Sequence, residues 1–274
     1  MAEPILVPLA DGNVLPALGF GTWDLKPGSE TQAAVEEALA AGYRHIDTAM
    51  IYENEADVGA AIRASGIPRT ELWVTTKLWN SDHGREAART AFERSLSLLQ
   101  LDYVDGYLQH WPMPQRVESW RSMEDLVDEG AIRSLGVCNF LPRHFDGLEL
   151  EFRHRPVINQ FELSPFLIHS RAAMIERSVS AGLVVEAYAP LTCGRRLDNE
   201  TVVRIAASHD RSPAQVLLRW SLQHGFVVLP RSKTPARIRE NANLFDFSLT
   251  DGELAVLDAL DDGFFVYEDP EDFA

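Results

Sequence analysis

The chain has 274 residues, 46% of them hydrophobic and 24% charged, ordinary values for a globular protein able to bury a large core. Asp and Glu outnumber Lys and Arg by 41 to 25, giving a net charge of −16. That balance speaks against nucleic acid and against an anionic membrane surface as partners, because both demand a basic face.

The chain opens on a hairpin pattern: Ile5–Leu9, the turn signal Asp11-Gly12-Asn13, then Val14–Ala17. Runs rich in Val, Ile, Leu and aromatics then predict strands over 17–22, 43–47, 72–77, 103–110, 132–138, 157–160, 183–188 and 226–229. Helix-like segments separate them, over 30–41, 55–64, 86–100, 116–128, 143–150, 170–181, 198–209, 213–223 and 235–242. A last helix is expected over 250–260, starting from a Thr250 to Glu253 capping box. Strands alternating with helices imply a parallel sheet. Eight evenly spaced strands over one domain, residues 1–274, predict the α/β fold of a (β/α)8 TIM barrel. The hairpin cannot join parallel strands through a tight turn, so it is expected across the barrel bottom. Extra helices are expected after strand 7 and at the C-terminus. An open doubly wound sheet is the alternative.

No segment reaches the ~18 apolar residues of a membrane helix. No Lys or Arg precedes Lys26, so a secretory signal would lack its positive region. Two cysteines, Cys138 and Cys193, make neither a disulfide framework nor a Cys-rich zinc site. The expected location is the cytoplasm, with no membrane, nucleic-acid or metal partner.

In a barrel, chemistry sits at the C-terminal ends of the strands. Read in order, those ends carry Thr22-Trp23, Asp47, Lys77, His110, Asn139, Gln160, Tyr188 and Arg231. A lysine closing an apolar strand is expensive unless paired, and Asp47 is the acid on the neighbouring strand. Tyr52 lies five residues past Asp47, within reach of the barrel mouth. A cation ~4 Å from a phenol is worth roughly 4 kcal/mol at an effective dielectric of ~20, about three pKa units, before burial and Asp47 offset part of it. Asp47, Tyr52, Lys77 and His110 together describe a proton-donating site without a nucleophile or a metal. Singly, each has a plainer reading: a structural ion pair, a packed tyrosine, a satisfied core histidine.

These stretches resemble the signatures of the aldo-keto reductase superfamily. The matching segments include Asp47-Thr-Ala-Met-Ile-Tyr52-Glu-Asn-Glu55, Thr76-Lys-Leu-Trp-Asn80 and Leu108-Gln-His-Trp-Pro112. Gly136-Val-Cys-Asn-Phe140, Asn159-Gln-Phe-Glu162, Tyr188-Ala-Pro-Leu191 and Leu229-Pro-Arg-Ser232 continue the match in the same order. The chain is most similar to the bacterial 2,5-diketogluconate reductase and prostaglandin F synthase-like branch. The resemblance implies NADPH-dependent reduction of aldehydes or ketones by hydride transfer from nicotinamide. It makes Tyr52 the general acid, Lys77 with Asp47 its tuners, and His110 the group that orients the carbonyl. It implies that Tyr188 stacks on the nicotinamide and that Asn139 and Gln160 hold its carboxamide. Gly21, Thr22, Asp47, Cys138 and Leu191 are further implied cofactor contacts.

No Gly-x-Gly-x-x-Gly fingerprint occurs, so phosphate recognition must lie elsewhere. Residues 231–240 hold Arg231, Lys233, Arg237 and Arg239, after the eighth strand, where barrels often bind phosphate. The resemblance places Arg231, Ser232 and Arg237 around the 2′-phosphate, and Glu240 and Asn241 at the adenine, which favours NADPH over NADH. Trp23, Ile51, Tyr52, Trp79, His110 and Trp111 are expected to wall the substrate pocket. Trp73, Trp120 and Trp220 lie within elements and read as packing.

The chain departs from the family pattern at Cys138, Ala189 and Arg231, where Ser, Ser and Lys are usual, and at Ser164, where His is common. These changes touch cofactor affinity, not reaction type. Two other functions fit parts of the pattern: a non-catalytic NADPH-binding subunit, and a barrel aldolase with Lys77 as a Schiff base. A charged Lys77 beside Asp47 is a poor imine former. A monomer acting on small carbonyl compounds is expected. The tail from 251 onward has nine acidic residues and no Lys or Arg, so small anionic substrates are expected to do worse than neutral ones.

Overall fold

A computed structural model describes residues 5–145 and 152–272. The chain opens on an antiparallel pair, β1 (Leu6–Pro8) and β2 (Val14–Pro16), in the register Val7 opposite Leu15. Gly12 makes the turn at φ 90°, a backbone state open to glycine at little cost. The alternating units then follow: β3 (Phe20–Gly21), α1 (Ser29–Ala40), β4 (His45–Asp47), α2 (Glu55–Ser65), β5 (Trp73–Leu78), α3 (Arg85–Leu99), β6 (Val104–Gln109) and α4 (Arg116–Asp128). They continue with β7 (Ile132–Cys138), α5 (Pro142–Phe145), β8 (Ile158–Glu162), α6 (Ala172–Ser180) and β9 (Val184–Tyr188). The chain ends with α7 (Glu200–Ser208), α8 (Pro213–Gln223), β10 (Val227–Leu229), α9 (Pro235–Ala242) and α10 (Asp251–Asp258).

Strands β3 to β10 form one parallel sheet in sequence order. Its edges meet through a Leu18–Val228 bridge and backbone bonds from Gly19 N to Val228 O and Gly21 N to Pro230 O. The sheet is therefore a (β/α)8 barrel, with α7 as an extra helix after its seventh strand and α10 at the C-terminal end. The first barrel strand is shorter than its predicted span of 17–22. A Cβ on Gly19 would lie 2.5 Å from Leu229 and 2.6 Å from His45. Only glycine fits at that closeness, and it lets the closing strands bond from Ala17 O through Gly19 N to Gly21 N. The predicted helix over 143–150 begins as α5, and its remainder, from 146, lies outside the described residues.

The two ends of the barrel differ in chemistry. Leu9 and Leu15 of the hairpin pack with Trp73, Val157 and Val227, residues at the starts of their strands. The hairpin thus covers the bottom with apolar side chains. Trp73, Trp120 and Trp220 are all buried. The Thr250 hydroxyl accepts from Glu253 N while the Glu253 carboxylate accepts from Thr250 N, the reciprocal capping expected of that pair. Among the described residues no helix is long and apolar enough to cross a membrane.

Candidate active site

The open end of the barrel holds a cavity of about 1110 Å³. Lys77, near the end of β5, has no exposed surface. Its Nζ donates to Asp47 Oδ1 at 2.5 Å and to Thr48 O at 2.9 Å. Tyr52 OH stands 3.4 Å from the same nitrogen, held there by the short helical turn Met50–Tyr52 after β4. A buried ammonium needs such partners, because the interior gives it no water. Burial alone would lower the Lys77 pKa, but the Asp47 charge and the tyrosine outweigh it and hold the amine charged. His110 follows β6, with its ring 5.8 Å from that of Tyr52 and 5.1 Å from Trp79. Burial and the Lys77 charge push its pKa well below the usual imidazole value, so it is neutral at neutral pH.

Tyr52 differs from the expectation of a lowered pKa. Burial pushes the phenol up, Lys77 pulls it back, and Asp47 adds to the rise, leaving the net shift upward. Asp47 cancels much of the field that the lysine alone would exert, and desolvation of a phenolate does the rest.

The cavity wall includes Gly21, Asp47, Cys138, Asn139, Gln160 and Tyr188. Asn139 closes β7 in the left-handed region, at φ 61°. Its Nδ2 donates to His110 O, and its Oδ1 accepts from Tyr188 OH at 3.0 Å. Trp23, Ile51, Trp79 and Trp111 line the same cavity near Tyr52 and His110, with the Trp23 ring 5.0 Å from that of Tyr52. Leu191, Arg231, Ser232, Arg237, Glu240 and Asn241 line its far end. Thr22 is placed differently. It is fully buried, its hydroxyl donates to Asp47 O, and it does not line the cavity.

The basic run 231–239 is largely neutralised by acids distant in sequence. Arg231 pairs with Asp24 and also donates through Nε to Trp23 O at 3.0 Å. Lys233 lies 3.7 Å from Glu30, and Arg239 pairs with Glu37. Arg237 is exposed, lines the cavity and has no partner among the described residues. Glu240 accepts from Ser212 Oγ at 2.5 Å, which joins the start of α8 to this end of the cavity. Sequence reading did not single out that contribution from α8.

Two further residues were missed. Glu186 of β9 is fully buried, and its Oε2 accepts from Gln160 Nε2 at 2.8 Å. A charged residue inside the apolar run Leu183-Val-Val-Glu-Ala-Tyr188, two positions before the cavity tyrosine, was the available signal, since strand faces repeat every second residue. Glu162 accepts from Val266 N at 2.7 Å and Tyr267 N at 3.0 Å. Those bonds fix the C-terminal segment, with Tyr267 on the cavity wall and its ring 6.0 Å from Tyr188. Phe264 and Phe265 instead lie against Arg196 and Arg171, off the cavity.

Residues 17–262 match the aldo/keto reductase family. The chain is 44% identical to a 9,11-endoperoxide prostaglandin H2 reductase of Trypanosoma cruzi, over 94% of this chain and 92% of that one. It is 43% identical to a glyoxal reductase of Bacillus subtilis, over 93% and 92%. A crystal structure of a Bombyx mori aldo-keto reductase in complex with NADP superposes with a TM-score of 0.90 at 35% identity, over 98% of this chain and 96% of that one.

Proposed function

The chain belongs to the aldo/keto reductase family of oxidoreductases, and from that premise we propose that it reduces small aldehydes or ketones to alcohols with NADPH, using Tyr52 as the general acid. The observation that carries this reading is the contact of Lys77 Nζ with both Asp47 and Tyr52 at the cavity floor. The reduced nicotinamide supplies the hydride when bound. The chain's own residues then have separable tasks. Tyr52, with its pKa raised, keeps its proton at neutral pH and delivers it to the oxygen as negative charge develops there. Lys77 stabilises the phenolate left behind, and Asp47 keeps the lysine in place and charged. Neutral His110 and the aromatic wall of Trp23, Trp79 and Trp111 position the carbonyl and keep water from it.

The cavity suits a dinucleotide in size and in its polar groups. It exceeds the ~1000 Å³ upper range of ordinary small-ligand pockets. Gln160 keeps a carbonyl oxygen without a partner among the described residues, and Arg237 keeps a free guanidinium. Under this reading Gln160 and Asn139 meet the carboxamide, Tyr188 stacks on the nicotinamide, and Arg237 with Ser232 meets the 2′-phosphate. An arginine can pair with the phosphate and stack on the adenine at once. Consumption of NADPH with a panel of aldehydes, ketones and diketones tests the reading, alongside Tyr52→Phe. A variant that binds NADPH normally but turns over about 10²–10⁴-fold more slowly is expected. Full activity of Tyr52→Phe would overturn the assignment.

A further inference from the structure

Beneath the proposed catalytic group lies a buried acid with no task in it. Glu186 has no exposed surface, and among the described residues its carboxyl bonds only to the amide nitrogen of Gln160. The same nitrogen donates to Asp47 Oδ2 at 3.0 Å. An amide NH2 has two protons, and two carboxyl groups from two different strands, β4 and β9, take both. The amide plane is thereby fixed with its nitrogen toward Asp47 and Glu186. The carbonyl oxygen of Gln160, which lines the cavity, is the end left without a partner among the described residues.

We propose that Glu186 is a positioning residue for the cofactor's carboxamide. With Asp47 it locks the Gln160 amide so that its carbonyl oxygen, an acceptor, is presented to the carboxamide NH2. This inference rests on the functional reading above and deepens it. Asp47 alone does not suffice for the task. With Glu186 removed, one amide proton loses its acceptor, and the amide is held by the single bond to Asp47 Oδ2, about which it can rotate. A rotated amide would no longer aim its carbonyl oxygen at the carboxamide NH2. The Glu186 carboxyl also leaves Oε1 buried without a partner, an arrangement that costs stability. Burial, reinforced by the Asp47 charge, pushes its pKa up to about 8, so it is held neutral at neutral pH. A neutral acid accepts one amide proton without adding a second negative charge beside Asp47.

The test separates the nicotinamide from the rest of the cofactor. Binding of NADPH and of 2′-phospho-ADP-ribose, which lacks the nicotinamide, is measured by tryptophan fluorescence in wild type, Glu186→Met and Glu186→Gln. Glu186→Met keeps the volume and removes the acceptor. It should weaken NADPH about tenfold and leave 2′-phospho-ADP-ribose within about twofold. Glu186→Gln retains a side-chain carbonyl for the Gln160 nitrogen and should recover most of the NADPH affinity. If Glu186→Met does not fold, Glu186→Ala carries the same comparison. Equal losses for both ligands, or no loss for either, would overturn the proposal. A wild-type protein that binds neither ligand would instead overturn the functional reading.

Discussion

At the cavity floor, Lys77 and Asp47 are buried and bonded at every turn, whereas along 231–239 the partners Arg231 with Asp24, Lys233 with Glu30 and Arg239 with Glu37 are open to solvent. The two regions hold their charges under opposite rules. In the floor each charge demands a partner, because an unpaired ion in the interior costs several kcal/mol. Where a second negative charge would have no partner, at Glu186, protonation removes it. At the rim, water screens each pair, and exposed pairs are worth about 0–1 kcal/mol. Pairing at the floor therefore fixes geometry, while pairing at the rim can be exchanged for a ligand's charge.

The sharpest way to break this contrast is Lys77→Met. It removes the charge near Tyr52 and strands Asp47 in the interior. Loss of one partner of a buried pair costs about 3–5 kcal/mol of stability, and activity should fall about 10²–10⁴-fold. Chemical denaturation and turnover of the same preparation check both. A stable, active Lys77→Met protein would show that the floor is only packing.

Glu186 makes a prediction about pH. Its pKa is about 8 when folded, above the ordinary 4.5. The folded state thus holds a proton that the unfolded state has released between those values. Its stabilising contribution is complete below about pH 4.5 and is lost as pH rises through 8. Across that window wild type should lose up to roughly 4 kcal/mol from this group, and Glu186→Gln should not. Buried His45, lowered to about 4, acts oppositely: the stability gained by keeping it neutral is lost as pH falls from its ordinary 6.5 toward 4. Unfolding curves of both proteins from pH 5 to 9 isolate the glutamate, and parallel curves would refute its neutral state.

At the rim, Arg237 is the exception that tests the rule. Lacking an acid partner among the described residues, it can meet a phosphate without giving anything up. Arg237→Ala should weaken NADPH about tenfold and NADH, which keeps only the adenine contact to lose, by much less, since a bond to a charged group contributes about 1.5–3 kcal/mol at most. Equal losses for the two cofactors would remove it from phosphate recognition. Arg231 should respond in the other direction. Asp24 competes for its guanidinium, so Asp24→Asn should tighten NADPH by a few-fold, the scale of an exposed pair. Weaker binding would mean that Asp24 positions Arg231 rather than competing with it.

Sequence reading reached the floor more fully than the rim, for a physical reason. Asp47, Lys77 and His110 sit at successive strand ends, and barrel topology makes successive strand ends neighbours. Their meeting followed from order along the chain. The rim pairs join residues about 200 positions apart, such as Arg239 and Glu37, and come together only when the sheet closes on itself. The local density of basic residues at 231–239 gave no hint of the acids facing it. Tyr52 shows a third limit. Its neighbours were legible, but the sign of its pKa shift depended on burial, which balances of charge along a sequence do not report.

The smallest expected effect concerns the substrate's charge. The global −16 and the neutralised rim act together here. Arg231, the basic residue tied to the Trp23 loop, is already spent on Asp24. Glu268 lines the cavity beside Tyr267. A small carboxylate-bearing aldehyde therefore meets more negative than positive charge on its way in. Its kcat/KM should be a few-fold below that of a neutral analogue of equal size at low salt. Screening over about 8 Å at physiological ionic strength should narrow the gap, and at about 1 M, where the screening length is near 3 Å, it should close. A gap that persists at high salt would place the discrimination in direct contact at the floor rather than in the field of the rim. An anionic substrate preferred at low salt would mean that Arg231 leaves Asp24 to meet it, and Arg231 would be the first residue to substitute.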